Sequence, residues 1–515
     1  MKGLTLGLAA SAIVYVSPAA AQTAPTVEDK PDMEVYGTLL PFLENVGTSG
    51  ATPLGTQSTA PQMVPTAVFS GINHDRRFRM TSGTSHFGFR GDLPISDDWL
   101  KLIWQIESPT PIDGEGPAFW ASRNSHVGLT GLWGTLVYGN WDTPMKWVTV
   151  TSVNPIKGGY VADMVPIIGA PGASTPALNA DPILLAAWQL PLNRAGFFRH
   201  ETNTVQYWSP TLAGFSLRLM VAANEHRTKG TPADTAPDGT TRPLGEHTYN
   251  PYLLSGYVGF DTSWLRLRYS AELHNDYFGT FNLGGATTPI NVPHSRDIGH
   301  LALAMAKINA GTDYETRIVA TGDYLSWHTD TQEAGIVTDV SRMAGYALIQ
   351  QHFGKHSVWV AGGHATQGTC TVSDGSPCTT AGLSADYATA GYLFSFTKDS
   401  GVYLIGYGLW NDIAARYSPF PILDSRVASI PFIPNFGEIA PGADTTGVGI
   451  GFVHVFNVGI FGKSQEAPAG KTKEAPAPKA EKPEPEEPKK EAETDAEGIE
   501  LEQDEESDAE KPPAP

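Results

Sequence analysis

Serine, histidine and acidic residues occur throughout the chain, but their spacing matches no catalytic or metal-binding motif. The sequence contains no G-x-S-x-G nucleophile elbow, no H-E-x-x-H pair and no phosphate-binding P-loop. The first histidines along the chain lie in separate segments without the spacing of metal ligands: His74, His86, His126, His200 and His226. We therefore expect no enzymatic activity, no metal site and no cofactor.

The two cysteines predict a disulfide bond. Cys370 and Cys378 lie in the turn-rich segment GTCTVSDGSPCTT, between two strand-like runs. Two thiols without a second Cys or His pair nearby are too few for a closed zinc site. A disulfide that closes this short polar loop fits an oxidising compartment outside the cytoplasm.

The charged residues of the central region alternate with apolar ones. In the segment from Trp99 to Glu107, Lys101, Gln105 and Glu107 share one face of a strand and the even-numbered apolar residues share the other. Arg218 alternates in the same way with Leu217 and Leu219. Such strands need one wet face and one apolar face, as in a membrane barrel with a water-filled lumen. A soluble β-sandwich gives the same alternation and is kept as an alternative.

About sixteen segments show this pattern, so we predict an all-β protein. The predicted strands cover residues 33–45, 80–91, 98–108, 123–131, 134–142, 203–209, 215–226, 250–261, 263–277, 297–309, 312–326, 342–353, 356–367, 384–397, 401–411 and 445–456. Very short connections alternate with long ones, of which the largest cover 46–79, 143–202 and 412–444. This order is typical of an up-and-down antiparallel transmembrane β-barrel with its short turns, and here both ends, in the periplasm.

Composition supports a barrel with flanking segments. Only 17% of the 515 residues are charged, whereas 54 are glycine and 10% are aromatic. Lys2, the apolar run 4–16 and the small residues 19–21 predict a signal peptide over residues 1–21. No later run of about 18 apolar residues predicts a spanning helix. The barrel domain is therefore expected over residues 22–462.

The C-terminal residues 463–515 differ in composition from the rest. They contain 8 Lys and 17 Asp plus Glu, a net charge of −9, with many Pro and Ala residues. Such a segment is predicted to be a disordered periplasmic tail, either without a partner or in contact with cell-wall or periplasmic components. Because the whole chain carries −20, the remainder is acidic as well, which does not favour nucleic acid as a partner.

Four segments, in this order, carry a resemblance to a known family. They are SHFGFRGDL followed by WLKLIWQIES, then SRNSHVGLTGLWGTLVYGNWDTP, NTVQYWSPTLAGFSLRLMVA and GVGIGFVHVF. Together they resemble the general bacterial porins, the sixteen-stranded trimeric diffusion channels of Gram-negative outer membranes. The resemblance implies a homotrimer in outer-membrane lipid, inserted by the barrel-assembly machinery. It also implies that the third external loop, about 143–202, folds back and narrows the channel.

This sequence departs from the family pattern in two respects. Arginines common on the family's channel wall align with His86, Asn140, and Gln206 or Trp208, which leaves Arg90, Lys101 and Arg218 as inward-facing cations. Acids at Glu107, Asp142 and Asp163 face them in this interpretation, so we expect a weak cation preference. Family members commonly end on a terminal aromatic residue that signals assembly, whereas this chain continues beyond the corresponding Phe456.

The function predicted from these features is passive diffusion of ions and small hydrophilic solutes. One alternative is a substrate-selective porin with a saturable site, in a barrel of up to eighteen strands. A second alternative is a secreted β-sandwich binding protein, which would not need detergent for extraction.

Overall fold

The structure is a computed structural model that describes part of the chain's residues. These are residues 32–64, 66, 69–96, 99–113, 120–150, 154–156, 160–172, 196–223, 234–235, 241–242, 251–276, 279–280, 294–331, 334–419 and 439–461. The predicted signal peptide and the predicted C-terminal tail lie outside the described residues.

Within this part of the chain, sixteen antiparallel strands form one sheet. In chain order they are β1 (Asp32–Leu39 and Phe42–Ser49), β2 (Arg77–Thr81 and His86–Ser96), β3 (Leu100–Pro109), β4 (Ser125–Gly131), β5 (Gly134–Asp142), β6 (His200–Trp208), β7 (Phe215–Ala223), β8 (Tyr252–Asp261), β9 (Leu265–Asn275), β10 (His294–Ile308), β11 (Thr316–Asp330), β12 (Val337–Phe353), β13 (His356–Ala365 and Thr369–Val372), β14 (Ala385–Ser395), β15 (Ser400–Asn411) and β16 (Asp444–Phe461).

The sheet closes on itself. Each strand pairs with its neighbours in the chain, and β1 pairs with β16 in a register that joins Val35 to Val458 and Phe42 to Gly451. A closed sheet leaves no edge strand, which is the condition for a barrel in lipid. The all-β, sixteen-stranded, up-and-down barrel predicted from the sequence is confirmed. Among the described residues, no helix has the length and hydrophobicity needed to span a bilayer.

Two neighbouring strands are interrupted at the same height. β1 breaks at Leu40 and Pro41, and Pro41 has no N–H to donate to the sheet. β2 breaks opposite, where Gly83 has a φ of 55° that favours glycine. The two breaks are joined because the Leu40 N–H donates to Ser85 Oγ at 2.8 Å. β1 and β2 both extend beyond their predicted ends, so the loop that connects them covers only residues 50–76.

The period-two alternation separates two surfaces along each strand. On β7, Leu217, Leu219 and Val221 point outward and are exposed, whereas Met220 and Ala222 are buried inside the barrel. On β10 to β15 the inward residues are largely apolar, among them Leu303, Trp327 and Tyr387. An inner wall of this kind needs an apolar cover within the barrel.

The loop between β5 and β6 supplies this cover. It contains a short helix α1 (Pro144–Val150) and a 3-10 helix (Tyr160–Ala162), and its residues 173–195 lie outside the described part. Met164, Ile167 and Ile168 are fully buried in one cluster with the inward side chains of β10 to β15. The described part of this loop therefore packs against the inner face of the barrel. We call residues 143–199 the inner loop.

Other long loops pack over the same end of the barrel. The β1–β2 loop contributes Met63 and Phe69 to the buried cluster, and Thr59 Oγ1 donates to Ala381 O between β13 and β14 at 2.7 Å. Beyond β15, the Arg416 N–H donates to Gly172 O of the inner loop at 2.8 Å. These contacts hold the inner loop from above, at the end of the barrel that carries the long loops.

Candidate functional site

The inner loop is fixed to the far wall by polar contacts. Tyr387 on β14 donates through its hydroxyl to Val161 O at 2.7 Å. Asp323 on β11 accepts from the Gly169 N–H at 2.6 Å, and Arg342 on β12 donates to the carbonyl oxygens of Ile167 and Ala170. Backbone groups at 161–170 are thereby satisfied by side chains of three strands. The inner face of β1 to β3 carries charged side chains instead of contacts to this part of the loop.

A row of ion pairs lines the inner face of β1 to β3. Arg90 contacts Glu34 and lies over the ring of Tyr36, with 4.6 Å from Cζ to the ring centroid. Lys101 Nζ lies 3.0 Å from Asp92. Register pairs Glu34 with Arg90 and Arg90 with Gln105, so these side chains share the inner face. The structure places Arg90 and Lys101 on the inner face of the sheet, and their role in lining a pore stays a prediction.

Glu107 is the centre of a denser cluster on the same wall, nearer the end of the barrel that carries the long loops. Its carboxylate accepts from the Tyr36 hydroxyl at 2.9 Å and from Arg123 Nε at 2.8 Å. His86 Nε2 lies 3.8 Å away. The structure therefore brings together Glu107 and His86, both selected from the sequence, with Arg123 and Tyr36, which were not. A buried carboxylate with these donors is held in one position.

Asp142 forms a second cluster where β5 enters the inner loop. Lys146 Nζ, one turn along α1, lies 2.6 Å from Asp142 Oδ1, and His200 Nδ1 lies 3.1 Å from the same oxygen. Asn124 Nδ2 donates to Oδ2 at 2.9 Å. Burial lowers the pKa of the Lys146 ammonium, and the neighbouring Asp142 carboxylate acts against this shift. These contacts fix the start of the inner loop to the wall.

Asp163 does not face the cations of the opposite wall. It is 8% exposed, accepts from the Val165 N–H at 2.8 Å, and its charge acts on the phenols of Tyr346 and Tyr387. Burial raises the pKa of the Asp163 carboxyl to about 7, while the hydrogen bond from Val165 and the charge of Lys146 lower it. The residue thus belongs to the docking surface of the inner loop. The expectation that it lines the open passage is not what the structure displays.

Arg218 packs against two indole rings, and no acid among the described residues forms an ion pair with it. Its Cζ is 3.7 Å from the ring centroid of Trp147 on α1 and 4.3 Å from that of Trp208 on β6. Nη1 is buried and makes no hydrogen bond within the described residues. A charged guanidinium held by aromatic faces keeps its full positive charge.

Within each inner-wall ion pair, one side chain is more exposed than its partner. Arg79 is 29% exposed and its partner Glu44 1%, and Arg123 is 21% exposed and its partner Glu107 7%. Arg90 and Arg317 are likewise more exposed than their partner carboxylates. Asp261, which pairs with Arg266 and Arg268, is the more exposed partner in both of its pairs. Water in the passage therefore meets mainly the cationic member of these pairs.

Two further predicted features concern covalent structure and assembly. Cys370 and Cys378 are joined in a disulfide at the end of β13, with the Cα atoms 5.7 Å apart. β16 continues past Phe456 and ends at Phe461, so Phe456 is not the last aromatic residue of this strand. The role of Phe456 as an assembly signal stays a prediction.

Sequence reasoning missed several residues that shape the passage. Arg342 and Asp323 occupy inward positions of alternating strands, and this alternation was the available signal for them. Arg123 and Trp147 lie in connections between strands, where no periodicity indicates which way a side chain points. Within the described residues, no group of three or more His, Cys, Asp or Glu side chains is arranged to hold a metal ion.

Comparisons with known proteins agree with this architecture. The sequence profile described as Gram-negative porin matches residues 8–393. The major outer membrane protein P.IB of Neisseria lactamica is 25% identical over 175 residues, which are 34% of this chain and 42% of that protein. The corresponding P.IA protein of Neisseria meningitidis serogroup C is 30% identical over 105 residues, 20% of this chain and 26% of the relative. The chain thus matches less than half the length of these relatives.

Among solved structures, the anion-selective porin from Comamonas acidovorans is similar to this chain in fold. The TM-score is 0.53 at 16% sequence identity, and the match covers 83% of this chain and all of that porin. This likeness concerns the path of the backbone.

Proposed function

Because the chain belongs to the Gram-negative porin family, we propose that it forms a passive channel for ions and small hydrophilic solutes in a bacterial outer membrane. The observation that supports the proposal is the inner loop, whose described part is fixed inside a closed barrel that also carries charged side chains on the inner face of β1 to β3. Such a channel selects by size and charge and needs no cofactor, energy source or catalytic residue.

One side of the passage is a polar wall. The other side is the inner loop, which packs against apolar residues of the barrel behind it. On the wall side, Arg90, Lys101 and the Glu107 cluster face the water. On the loop side, backbone and side chains are fixed by Arg342 and Asp323, so the narrowing is rigid. A rigid polar constriction supports diffusion of hydrated solutes without a conformational cycle.

The balance of exposed charge supports a weak anion preference, in place of the weak cation preference predicted from the sequence. Most inner-wall pairs present the cation to water and hold the carboxylate behind it. The nearby mobile ions are then mainly anions, because an anion can approach the water-facing cation more closely than a cation can approach the covered carboxylate. The sequence-based expectation counted charges but had no information on which partner was covered.

Several further features follow from family membership and remain part of the proposal. We infer a homotrimer, for which the outward residues Phe87 and Phe89, in edge-on and tilted contact with the exposed Trp120, supply an apolar contact surface. The long-loop end faces outward and both chain ends face the periplasm. Outer-membrane lipid and the barrel-assembly machinery are the expected partners, and the acidic tail provides a periplasmic contact.

Single-channel recording in a planar bilayer tests this function. The purified full chain should give ohmic conductance steps, and its reversal potential in a salt gradient should have the sign of anion preference. Absence of conductance from protein whose electrophoretic mobility changes on boiling would contradict the channel. A reversal potential of the opposite sign would contradict the anion preference alone.

A further inference from the structure

Arg218 differs from the other inner-wall arginines in its surroundings. Arg123, Arg266 and Arg342 each contact a carboxylate within 3.1 Å. Arg218 contacts two indole rings, and within the described residues no carboxylate forms an ion pair with it, since Asp142 acts on it only at longer range. Its charge is therefore available to a mobile anion, whereas the other three charges are already compensated.

The geometry around Arg218 favours one kind of anion. The guanidinium of Arg218 packs against the rings of both Trp147 and Trp208, which restricts its orientation. A fixed planar guanidinium matches the two oxygens of a carboxylate. Nη1 is buried without an acceptor, so the protein itself does not satisfy all of its donors.

The neighbouring side chains add aromatic surface, whereas the nearby Arg268 is already paired with Asp261. Arg268 on β9 lies over the ring of Tyr257, with 5.8 Å from Cζ to the centroid, and Tyr257 is the cross-strand partner of Arg218. Behind Trp208, Trp141 and His126 extend the aromatic surface, with ring centroids of Trp141 and Trp208 5.1 Å apart. Arg218, Trp147 and Trp208 are each only half-buried, so solutes in the lumen reach the edge of this site.

We propose that Arg218, Trp147 and Trp208 form a saturable subsite for organic carboxylates with a small apolar body. This rests on the proposed channel function and deepens it, since the subsite lies where the inner loop meets the wall. The carboxylate pairs with the guanidinium, and the apolar body contacts the indoles. The low-dielectric surroundings strengthen this pairing relative to one in bulk water.

Benzoate is a suitable probe because benzamide has the same shape without the charge. In planar bilayers containing the full chain, benzoate should reduce the chloride current in a saturable way at millimolar concentration. Benzamide at equal concentration should leave the current unchanged. In R218Q the half-blocking benzoate concentration should rise at least about tenfold, since a charge-assisted pair of hydrogen bonds is lost.

Two further variants separate the parts of the subsite. R218K keeps the charge but not the planar fork, and W147L removes one indole from the loop side; both should weaken the block. R266Q is the matched control, because Arg266 is an inner-wall arginine already paired with Asp261, and its block should equal that of the parent. If R218Q does not insert into the membrane, W147L still tests the subsite, since this variant changes no charge on the wall.

The outcomes distinguish the subsite from the channel. A chain that conducts but is unaffected by benzoate overturns the subsite and leaves the channel intact. Equal block by benzamide, or equal weakening in R266Q and R218Q, also overturns it. A chain that folds and does not conduct overturns the channel function itself.

Discussion

Asp323 and Arg342 form a buried ion pair whose two side chains both reach from the wall to the inner loop. Arg342 Nη1 lies 2.6 Å from Asp323 Oδ1, and the two side chains are 0% and 3% exposed for Asp323 and Arg342 respectively. Asp323 also accepts from the Gly169 and Ala344 N–H groups, while Arg342 donates to Ile167 O and Ala170 O. The pair therefore connects the position of the loop to the integrity of β11 and β12.

Removing one member of this pair should loosen the constriction. R342M leaves Asp323 buried without its cation and frees the carbonyl oxygens of Ile167 and Ala170, at a cost of about 3–5 kcal/mol. We expect a larger mean conductance and stronger current fluctuations in single-channel records. R317M changes an inner-wall arginine of the exposed pair with Glu315 and should lack this effect. The double variant D323N/R342M should be less disturbed than R342M, and equal fluctuations in R342M and R317M would contradict the anchoring role.

The charges of Glu34 and Arg90 should act on selectivity in opposite directions. R90Q removes the more exposed member of the pair and should shift the reversal potential toward cations; E34Q should shift it further toward anions. Both shifts should shrink in 1 M salt, where the Debye length is about 3 Å. K398Q, in the exposed turn between β14 and β15, is the control and should leave the potential unchanged. Shifts of the same sign in R90Q and E34Q would exclude this account.

Asp163 should make docking of the inner loop depend on pH. Its pKa of about 7 in the docked loop lies above the ordinary value of 3.8, so the docked state holds the proton more tightly. Docking is therefore most stable below about pH 4, weakens as pH rises toward 7, and has lost this contribution above pH 7. Current fluctuations should be larger at pH 8 than at pH 5. D163N should remove this difference and D313N, in the exposed β10–β11 turn, should retain it; an unchanged pH response in D163N would refute the assignment.

The disulfide should stabilise the long-loop end and leave the barrel intact. Cys370 and Cys378 enclose a short loop, and Pro377 O within it accepts from Gln62 Nε2 of the β1–β2 loop at 2.8 Å. C370S/C378S should lower the free energy of unfolding by roughly 2–3 kcal/mol. Strand pairing around β12 and β13 should persist, so the electrophoretic shift on boiling should remain. Protease cleavage between 373 and 384 should increase; unchanged cleavage would show that the loop is held by other contacts.

The end of β16 should matter more for assembly than the segment after it. Truncation after Lys463 leaves all of β16, which ends at Phe461, and should preserve insertion and conductance. F456A removes a side chain that packs on Gly37 of β1 and on His454, and should reduce outer-membrane abundance. F461A tests whether the last aromatic residue of the strand carries the signal instead. If truncation abolishes insertion while F456A does not, the residues after β16 carry the signal.

The barrel was predictable because strand alternation and connection length are local properties of the sequence. Alternation around Arg218 and Lys101 indicated correctly which residues point inward, since a period of two leaves little choice. The partners of these residues were not predictable. Trp147 approaches Arg218 from a helix in the inner loop, and Asp163 turns toward Tyr346 rather than the passage, because loop packing depends on contacts distant in sequence.

The pairing of β1 with β16 has a consequence for how the chain folds. Met33 pairs with Phe461, 428 positions later, so the first strand completes its hydrogen bonds only after the last strand has been made. Contacts of such high sequence separation form slowly, and until they form, two strand edges are open to pairing with other chains. The nascent protein therefore needs protection from aggregation for longer than a protein whose strand pairs are all close in sequence. The seam between β1 and β16 is the step at which folding ends and the edges disappear.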